Sequence, residues 1–155
     1  MKCLKLIFCL LYFCCSLAEA KEVQVDAQKE VDEMTGRLVT SYLEAKVDED
    51  IIAGYASALR SDGSFPDLDY VTVHEGSSYP AGSHLKRLKL MAIAYRKPGN
   101  KYYNSGRLLK QIVAGIDYWY RVRPKSGNWW FGDIGAPQDY MVPLILLKGK
   151  ISDKK

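Results

Sequence analysis

The sequence predicts an all-α protein built from antiparallel helical hairpins. Apolar residues recur every three or four positions in several segments, which is the spacing of one face of an α-helix. No segment shows the regular alternation of apolar and polar residues that is typical of a half-buried strand. Most connections are short, and consecutive helices joined in this way pack most simply side by side in opposite directions.

The first twenty residues are predicted to be a secretory signal peptide. Two lysines precede an apolar run over residues 6–17, and Ala18-Glu19-Ala20 has the small residues that signal peptidase requires before cleavage at Lys21. The run is short for a membrane anchor, and the bulky residues before Cys14 argue against a lipid-attachment site. The mature protein is therefore expected to be secreted or periplasmic and free of the membrane.

The composition of the mature chain limits the kinds of binding site and cross-link that it can contain. All four cysteines lie in the predicted signal peptide, so neither disulfides nor thiolate metal ligands are expected. Removing two lysines and one glutamate from 22 basic and 18 acidic side chains leaves 20 and 17, a net charge of +3. This mild bias suits an acidic polysaccharide but is also an ordinary solubility feature. No phosphate loop or metal-ligand spacing is present, so no cofactor, metal ion or nucleic-acid partner is expected.

Two helices and a long loop are predicted first. Residues 25–45 have apolar residues at helical spacing and acidic residues in the early turns, where they suit the positive end of a helix. Residues 48–59 repeat the spacing, and residues 46–50 are either a junction or a continuation. Residues 61–82 begin with a turn sequence and have no helical period, so they are predicted to form an ordered loop with 71–73 as a candidate strand.

Three more helices are predicted to follow. The third begins at Ser83 as N-cap and ends before Pro98, and the fourth covers residues 102–121, with either Trp119 or Tyr120 on its apolar stripe. The last covers residues 137–147, where Pro143 is expected to kink or interrupt it. Residues 148–155 are predicted to be a polar, frayed tail. The buried face of the third helix is predicted to consist of Leu85, Leu88, Met91, Ala92 and Tyr95.

The segment most informative about function is PKSGNWWFGDIGAPQ, residues 124–138. Bulky aromatic side chains in a loop either plug a core or face a ligand. An indole ring can stack on the flat C–H face of a sugar, and an adjacent amide can hydrogen-bond its hydroxyl groups. Composition alone favours core packing, because large aromatic residues are mostly buried.

This segment resembles the motif of polysaccharide lyase family 8, the family of chondroitin AC, hyaluronate and xanthan lyases. The motif consists of Asn128-Trp129-Trp130, then Asp133-Ile134-Gly135, then Pro137-Gln138. Weaker matches lie upstream, in the turn over residues 62–65 and in the third and fourth helices, so the likeness covers about residues 52–147. Within the family the chain is most similar to the chondroitin AC lyases.

The resemblance implies that residues 21–147 form part of an incomplete α/α toroid, the N-terminal domain of such lyases. It implies that Asn128, Trp129 and Trp130 bind an acidic polysaccharide of the chondroitin or hyaluronan type, with the tryptophans stacked on sugars. Asp133 is not assigned to this site, because a charge in the first turn of a helix explains it equally well.

The resemblance also implies a carbon–oxygen lyase reaction. Family lyases cleave by β-elimination beside a uronic acid: a His or Tyr removes the C5 proton and a Tyr assists the leaving oxygen. These groups come from helices later than the tryptophan pair, whereas His74 and His84 both precede it. No catalytic residue is therefore assigned, and the chain is expected to be an N-terminal fragment that lacks the catalytic His, Tyr, Arg and Asn.

The sequence is compatible with three functions. The chain is the glycan-cleft portion of a lyase, a secreted non-catalytic glycan-binding module, or a structural helical domain whose tryptophans are buried. A partial toroid would also leave apolar hairpin faces uncovered, which predicts marginal stability or self-association.

Overall fold

A computed structural model describes residues 27–151, and over this range it contains only helices, turns and loops. Its helices are α1 over residues 27–43, then α2 (Glu49–Ala58), α3 (Gly82–Arg96), α4 (Gly106–Val122) and α5 (Ala136–Leu146). A π-helical turn, Phe131–Gly135, leads directly into α5. The all-α prediction is confirmed. The predicted signal peptide lies outside the described residues.

The chain divides into two compact units, with the boundary in the sequence between Thr40 and Ser41. The described part of the first unit is most of α1, whose apolar residues Val31 and Met34 are exposed. The second unit contains α2 to α5. None of the helices within residues 27–151 combines the length and the apolar character needed to cross a bilayer.

Helix α3 is the centre of the second unit and packs against α2, α4 and α5. All five residues predicted for its buried face are buried, and Ile93 and Ala94 are buried as well. The last turns of α3 are therefore covered on every side, as expected of a central helix. Helix α4 packs tightly on α3 at Gly115, where an added Cβ would lie 2.6 Å from Leu88 Cδ2.

Capping side chains fix where α2 and α4 begin. The Asp48 carboxylate accepts hydrogen bonds from two backbone N–H groups of the first turn of α2, so residues 46–48 are a junction. Ser105 caps α4 by accepting from the N–H of Leu108 at 3.3 Å. The predicted start of this helix at residue 102 is wrong, because residues 101–104 form a turn in which Asn104 has a φ of 53°. Of the two candidates for its apolar stripe, Trp119 is buried and Tyr120 is exposed.

One further predicted boundary is wrong, and the candidate strand is absent. Ser83 is not an N-cap but the second residue of α3, because three successive backbone hydrogen bonds already turn the chain at residues 79–84. Residues 71–73 are not a strand, because the Asp69 carboxylate accepts from the N–H groups of Val71 and Thr72 and bends the chain there. Pro143 lies inside α5 without ending it.

The α2–α3 loop, residues 59–81, is held against the helices as predicted for an ordered loop. Its turn presses on α4 at Gly63, which has a φ of 90° and leaves no room for a Cβ beside the carbonyl oxygen of Ala114. Further along, Asp67 accepts two hydrogen bonds from the guanidinium of Arg87, which also lies 4.7 Å from the ring centroid of Phe65. The hydrogen bond to Arg87 lowers the pKa of Asp67.

Candidate functional site

Trp129 and Trp130 form the first turn of a continuous helical segment over residues 129–146. The predicted last helix, residues 137–147, is confirmed as α5 (Ala136–Leu146), and the residues before it extend the helical segment back to Trp129. The side chains of Trp129 and Trp130 are 67% and 44% exposed, whereas Trp119 on α4 is 8% exposed. The pair is thus not part of the core, and it presents two neighbouring apolar rings to solvent.

Asn128 sets the position of the pair. Its Oδ1 accepts from the N–H of Trp130 at 2.9 Å, which is the N-cap hydrogen bond of the segment. Its Nδ2 donates to the carbonyl oxygen of Gly76, in the α2–α3 loop, at 2.8 Å. Both ends of this amide therefore have a partner within the protein, and Asn128 ties the loop to the start of the helix.

The π-helical turn brings the backbone of Gly135 next to the indole of Trp130. An added Cβ at Gly135 would lie 2.7 Å from Trp130 Cζ3, whereas an added Cβ at Gly132, in the same turn, would have nothing within 4 Å. Turns of this type are frequent at functional sites. Asp133 is exposed in this turn, within the first turns of the helical segment, where a negative charge is favourable.

A cavity of about 330 Å³ lies between the π-helical turn and the start of α3. Tyr79 forms part of its wall and stacks on Phe131 with the ring centroids 5.5 Å apart. The Tyr79 hydroxyl donates to the carbonyl oxygen of Pro124 at 2.9 Å, and burial raises the pKa of this tyrosine. The cavity is lined by aromatic rings from Tyr79, Trp130 and Phe131 and by polar groups from Ser77, Lys86, Gln138 and Asp139.

His84 lies in the core, where it has no exposed surface. Its Nε2 is 2.9 Å from the carbonyl oxygen of Gly115, and because a carbonyl only accepts, Nε2 carries the proton. Its Nδ1 then accepts from the hydroxyl of Tyr70 at 2.9 Å, and that hydroxyl accepts from the N–H of Phe65. Burial lowers the pKa of His84 to about 4 and raises the pKa of Tyr70 to about 12. This neutral histidine joins α3, α4 and the α2–α3 loop.

His74 lies in the α2–α3 loop. Its backbone carbonyl accepts from the N–H of Gly127 at 3.0 Å, and its Nε2 is 3.4 Å from a carboxylate oxygen of Asp69. It thus supports the segment that leads into the tryptophan pair. Across residues 27–151, no three His, Cys, Asp or Glu side chains are grouped as metal ligands would be.

Sequence reasoning missed Tyr79 and Lys86 as parts of this region. Tyr79 stands in a segment without periodicity, and Lys86 has the pattern of an ordinary solvated lysine on α3. The one local signal is Gly82, where an added Cβ would lie 2.9 Å from the Tyr79 ring. A glycine at the start of a helix permits this close approach, but the sequence does not reveal which ring approaches.

The chain is similar to known polysaccharide lyases. It is 34% identical over 92 residues to chondroitinase-AC of Pedobacter heparinus, an alignment that covers 59% of this chain and 13% of the relative. It is 29% identical over 98 residues to hyaluronate lyase HylB of Enterococcus faecalis, over 58% of this chain and 10% of the relative. The chain therefore matches only a small part of the length of either enzyme.

The fold is similar as well. A solved structure of chondroitinase AC lyase, from a study of enzyme–oligosaccharide complexes and mutagenesis, matches with a TM-score of 0.67 and 28% sequence identity. The match covers 75% of this chain and 17% of that chain. It confirms that the helices form part of an α/α toroid of the family type. Residues 26–155 match the N-terminal alpha-helical domain of polysaccharide lyase family 8, and the chain belongs to that family.

Proposed function

We propose that the chain supplies part of the glycan-binding cleft of a family 8 lyase, in which Trp129 and Trp130 stack on the sugars of an acidic polysaccharide. The observation that carries this proposal is the exposure of two adjacent indoles, 67% and 44%, on a rigidly capped helix start. Exposed aromatic surface of this kind marks interaction sites in soluble proteins. The names of the relatives, a chondroitinase and a hyaluronate lyase, support an acidic polysaccharide as the ligand.

In this proposal Asn128 acts first by orienting the tryptophans, and its remaining amide hydrogen is available to a sugar hydroxyl.

The proposed domain comprises residues 21–147, after a signal peptide over residues 1–20 that directs secretion, and residues 148–155 are a tail. We assign no step of the β-elimination to the described residues. His84 in particular is neutral, buried and engaged at both ring nitrogens.

Binding can be tested by affinity electrophoresis of the full chain in gels that contain chondroitin sulfate or hyaluronan. Each of Trp129→Ala and Trp130→Ala is expected to weaken binding by about five-fold or more. An aromatic contact contributes about 1 kcal/mol in addition to the free energy from burying its apolar surface, and 1 kcal/mol corresponds to about five-fold in affinity. Tyr103→Ala is the matched control, because Tyr103 is another exposed aromatic residue, 46% exposed, in the turn before α4. An unretarded wild-type chain would refute the proposal.

The free energy of unfolding of Trp129→Ala, measured by thermal denaturation and compared with that of a buried-tryptophan variant, tests the alternative in which the tryptophans are structural. Trp129→Ala is expected to change the free energy of unfolding by about 0.5 kcal/mol or less, as for most surface substitutions. Trp119→Ala, at a site that is 8% exposed, is expected to cost about 3–5 kcal/mol. Equal losses in the two variants would favour a structural role for Trp129.

Catalysis is tested separately, by the ultraviolet absorbance of the unsaturated product after incubation with chondroitin or hyaluronan. The proposal expects binding without turnover. Sustained turnover by this chain would show that the non-catalytic part of the proposal is wrong and leave the binding part standing.

A further inference from the structure

Lys86 lies on the wall of the cavity beside Trp130. It is an exposed residue of α3, one turn after Gly82, and both face the cavity because residues four apart share one side of a helix. Its neighbour Leu85 is fully buried, which fixes the rotation of α3 about its axis and so directs position 86 outward. The bare backbone at Gly82 lets the Tyr79 ring pack against α3 and form the adjoining part of the cavity wall.

Lys86 is the basic group of this cavity. The cavity also contains Asp139, but the carboxylate of Asp139 is 3.9 Å from Nζ of Lys89, which lies one turn beyond Lys86 on α3. Lys89 thus offsets the acidic charge, whereas Lys86 forms no salt bridge with any carboxylate among the residues that the structure describes. The local charge of these three residues is therefore +1.

We infer that Lys86 binds an acidic group, a carboxylate or a sulfate ester, on a sugar that stacks on Trp130. This inference rests on the proposed function, and it adds the residue through which the cavity prefers charged over neutral polysaccharides. Gln138 and Ser77, also on the cavity wall, suit neutral sugar hydroxyls, since an amide and a hydroxyl both donate and accept. An ammonium group beside an apolar ring matches the two features of an acidic sugar, a flat C–H face and a charged substituent.

The test compares Lys86→Gln, Lys86→Arg and Lys110→Gln in the full chain. Lys110 is an exposed lysine of α4 outside the cavity, so Lys110→Gln removes the same charge from a place where no sugar is expected. The probes are hyaluronan, chondroitin sulfate, carboxyl-reduced chondroitin sulfate, and chondroitin both desulfated and carboxyl-reduced. These carry carboxylates, both acidic groups, sulfates, and no charge, respectively.

Lys86→Gln is expected to weaken binding of the charged polymers by about two- to five-fold, the range for one solvent-exposed ion pair. Lys86→Arg retains binding, Lys110→Gln changes it less, and the neutral polymer binds wild type and Lys86→Gln equally. A loss with hyaluronan identifies the carboxylate as the ligand of Lys86. A loss confined to the sulfated polymers identifies the sulfate.

The inference is overturned if Lys86→Gln loses no more affinity than Lys110→Gln, or if it loses as much affinity for the neutral polymer. These failures are distinct from failure of the proposed function. If Trp130→Ala weakens binding and Lys86→Gln does not, only the role of Lys86 is wrong. If the wild-type chain binds none of the four polymers, the proposed function and this inference both fail.

Discussion

The contacts of His84 give the fold a dependence on pH whose direction and size can be worked out. Nε2–H donates to the carbonyl oxygen of Gly115, and Nδ1 accepts from the hydroxyl of Tyr70. A proton on Nδ1 would deprive that hydroxyl of its acceptor and place a charge on a side chain with no exposed surface. The folded state therefore favours the neutral imidazole.

The sign follows from the two pKa values, about 4 in the folded state and 6.5 as the ordinary value expected in the unfolded state. Between them the unfolded chain holds more protons than the folded chain, so stability rises with pH across this interval. The contribution is fully present above pH 6.5 and is lost as the pH falls to 4. Its size is about 3 kcal/mol, since a tenfold change in proton affinity is worth about 1.4 kcal/mol.

Urea denaturation of the full chain at several pH values from 7.5 to 4.5, followed by circular dichroism, measures this contribution. The free energy of unfolding of the wild type is expected to fall on acidification by up to about 1.4 kcal/mol per pH unit within the interval. His84→Gln, which cannot titrate at this position, is expected to be less stable than the wild type at pH 7.5. Its free energy of unfolding is expected to change little between pH 7.5 and 4.5. Asp62 and Asp67, whose pKa values are lowered by hydrogen bonds to Ser64 and Arg87, lose their contributions at more acidic pH.

The second histidine of the chain provides the control. His74→Gln removes a loop imidazole and leaves the His84 network intact, so its pH dependence is expected to follow the wild type. An NMR titration of the wild-type imidazoles gives the pKa of His84 directly, even if His84→Gln does not fold. A pKa near 6.5, or equal pH dependence in wild type and His84→Gln, would refute the reasoning.

Two pairs of glycine substitutions test close contacts at the loop and at the site. Gly63→Ala is expected to lower the free energy of unfolding by more than 1 kcal/mol and by more than Gly99→Ala, measured by urea denaturation. Both positions have positive φ, 90° and 84°, but only at Gly63 does an added Cβ overlap a neighbouring backbone carbonyl, so equal losses would contradict the contact. Gly135→Ala is expected to displace the Trp130 indole and weaken polysaccharide binding in affinity gels by a few-fold. Gly132→Ala, in the same turn with open space, is expected to bind as the wild type does, and equal affinities of these two variants would contradict the role of Gly135.

Helices α2, α3 and α4 could be predicted because each carries a local pattern. The five residues that spacing places on the buried face of α3 are all buried, because this helix packs in the core, but spacing does not identify His84, Ile93 and Ala94, which are buried as well. The start of α5 at Ala136 is within one residue of its prediction, but the helical turns that precede it could not be predicted. Residues 129–135 have no apolar period, and their helical turn depends on Asn128, whose amide is held by Gly76, 52 residues earlier in the chain.

The candidate site was predictable only in part for a similar reason. Composition favours burial of Trp129 and Trp130, so the expectation that they contact a ligand comes from the resemblance to family 8, and the structure adds that both rings are exposed. Lys86 and Tyr79 carry no comparable signal. They line one cavity with Trp130 because the end of the α2–α3 loop and the start of α3 lie beside the last helical segment. This is a tertiary arrangement that no local pattern encodes.

The α2–α3 loop is attached to the rest of the fold near both of its ends. At one end it is fixed to the core by Tyr70, through His84, and by Gly63 against α4. At the other end it holds the start of the tryptophan segment through Gly76, which accepts from Asn128, and through His74, whose carbonyl accepts from Gly127. The α2–α3 loop thus connects the core to the start of the segment that carries the exposed indoles. In the proposed function, a platform fixed in this way loses little conformational entropy on binding a polysaccharide, which favours affinity without deep burial of the ligand.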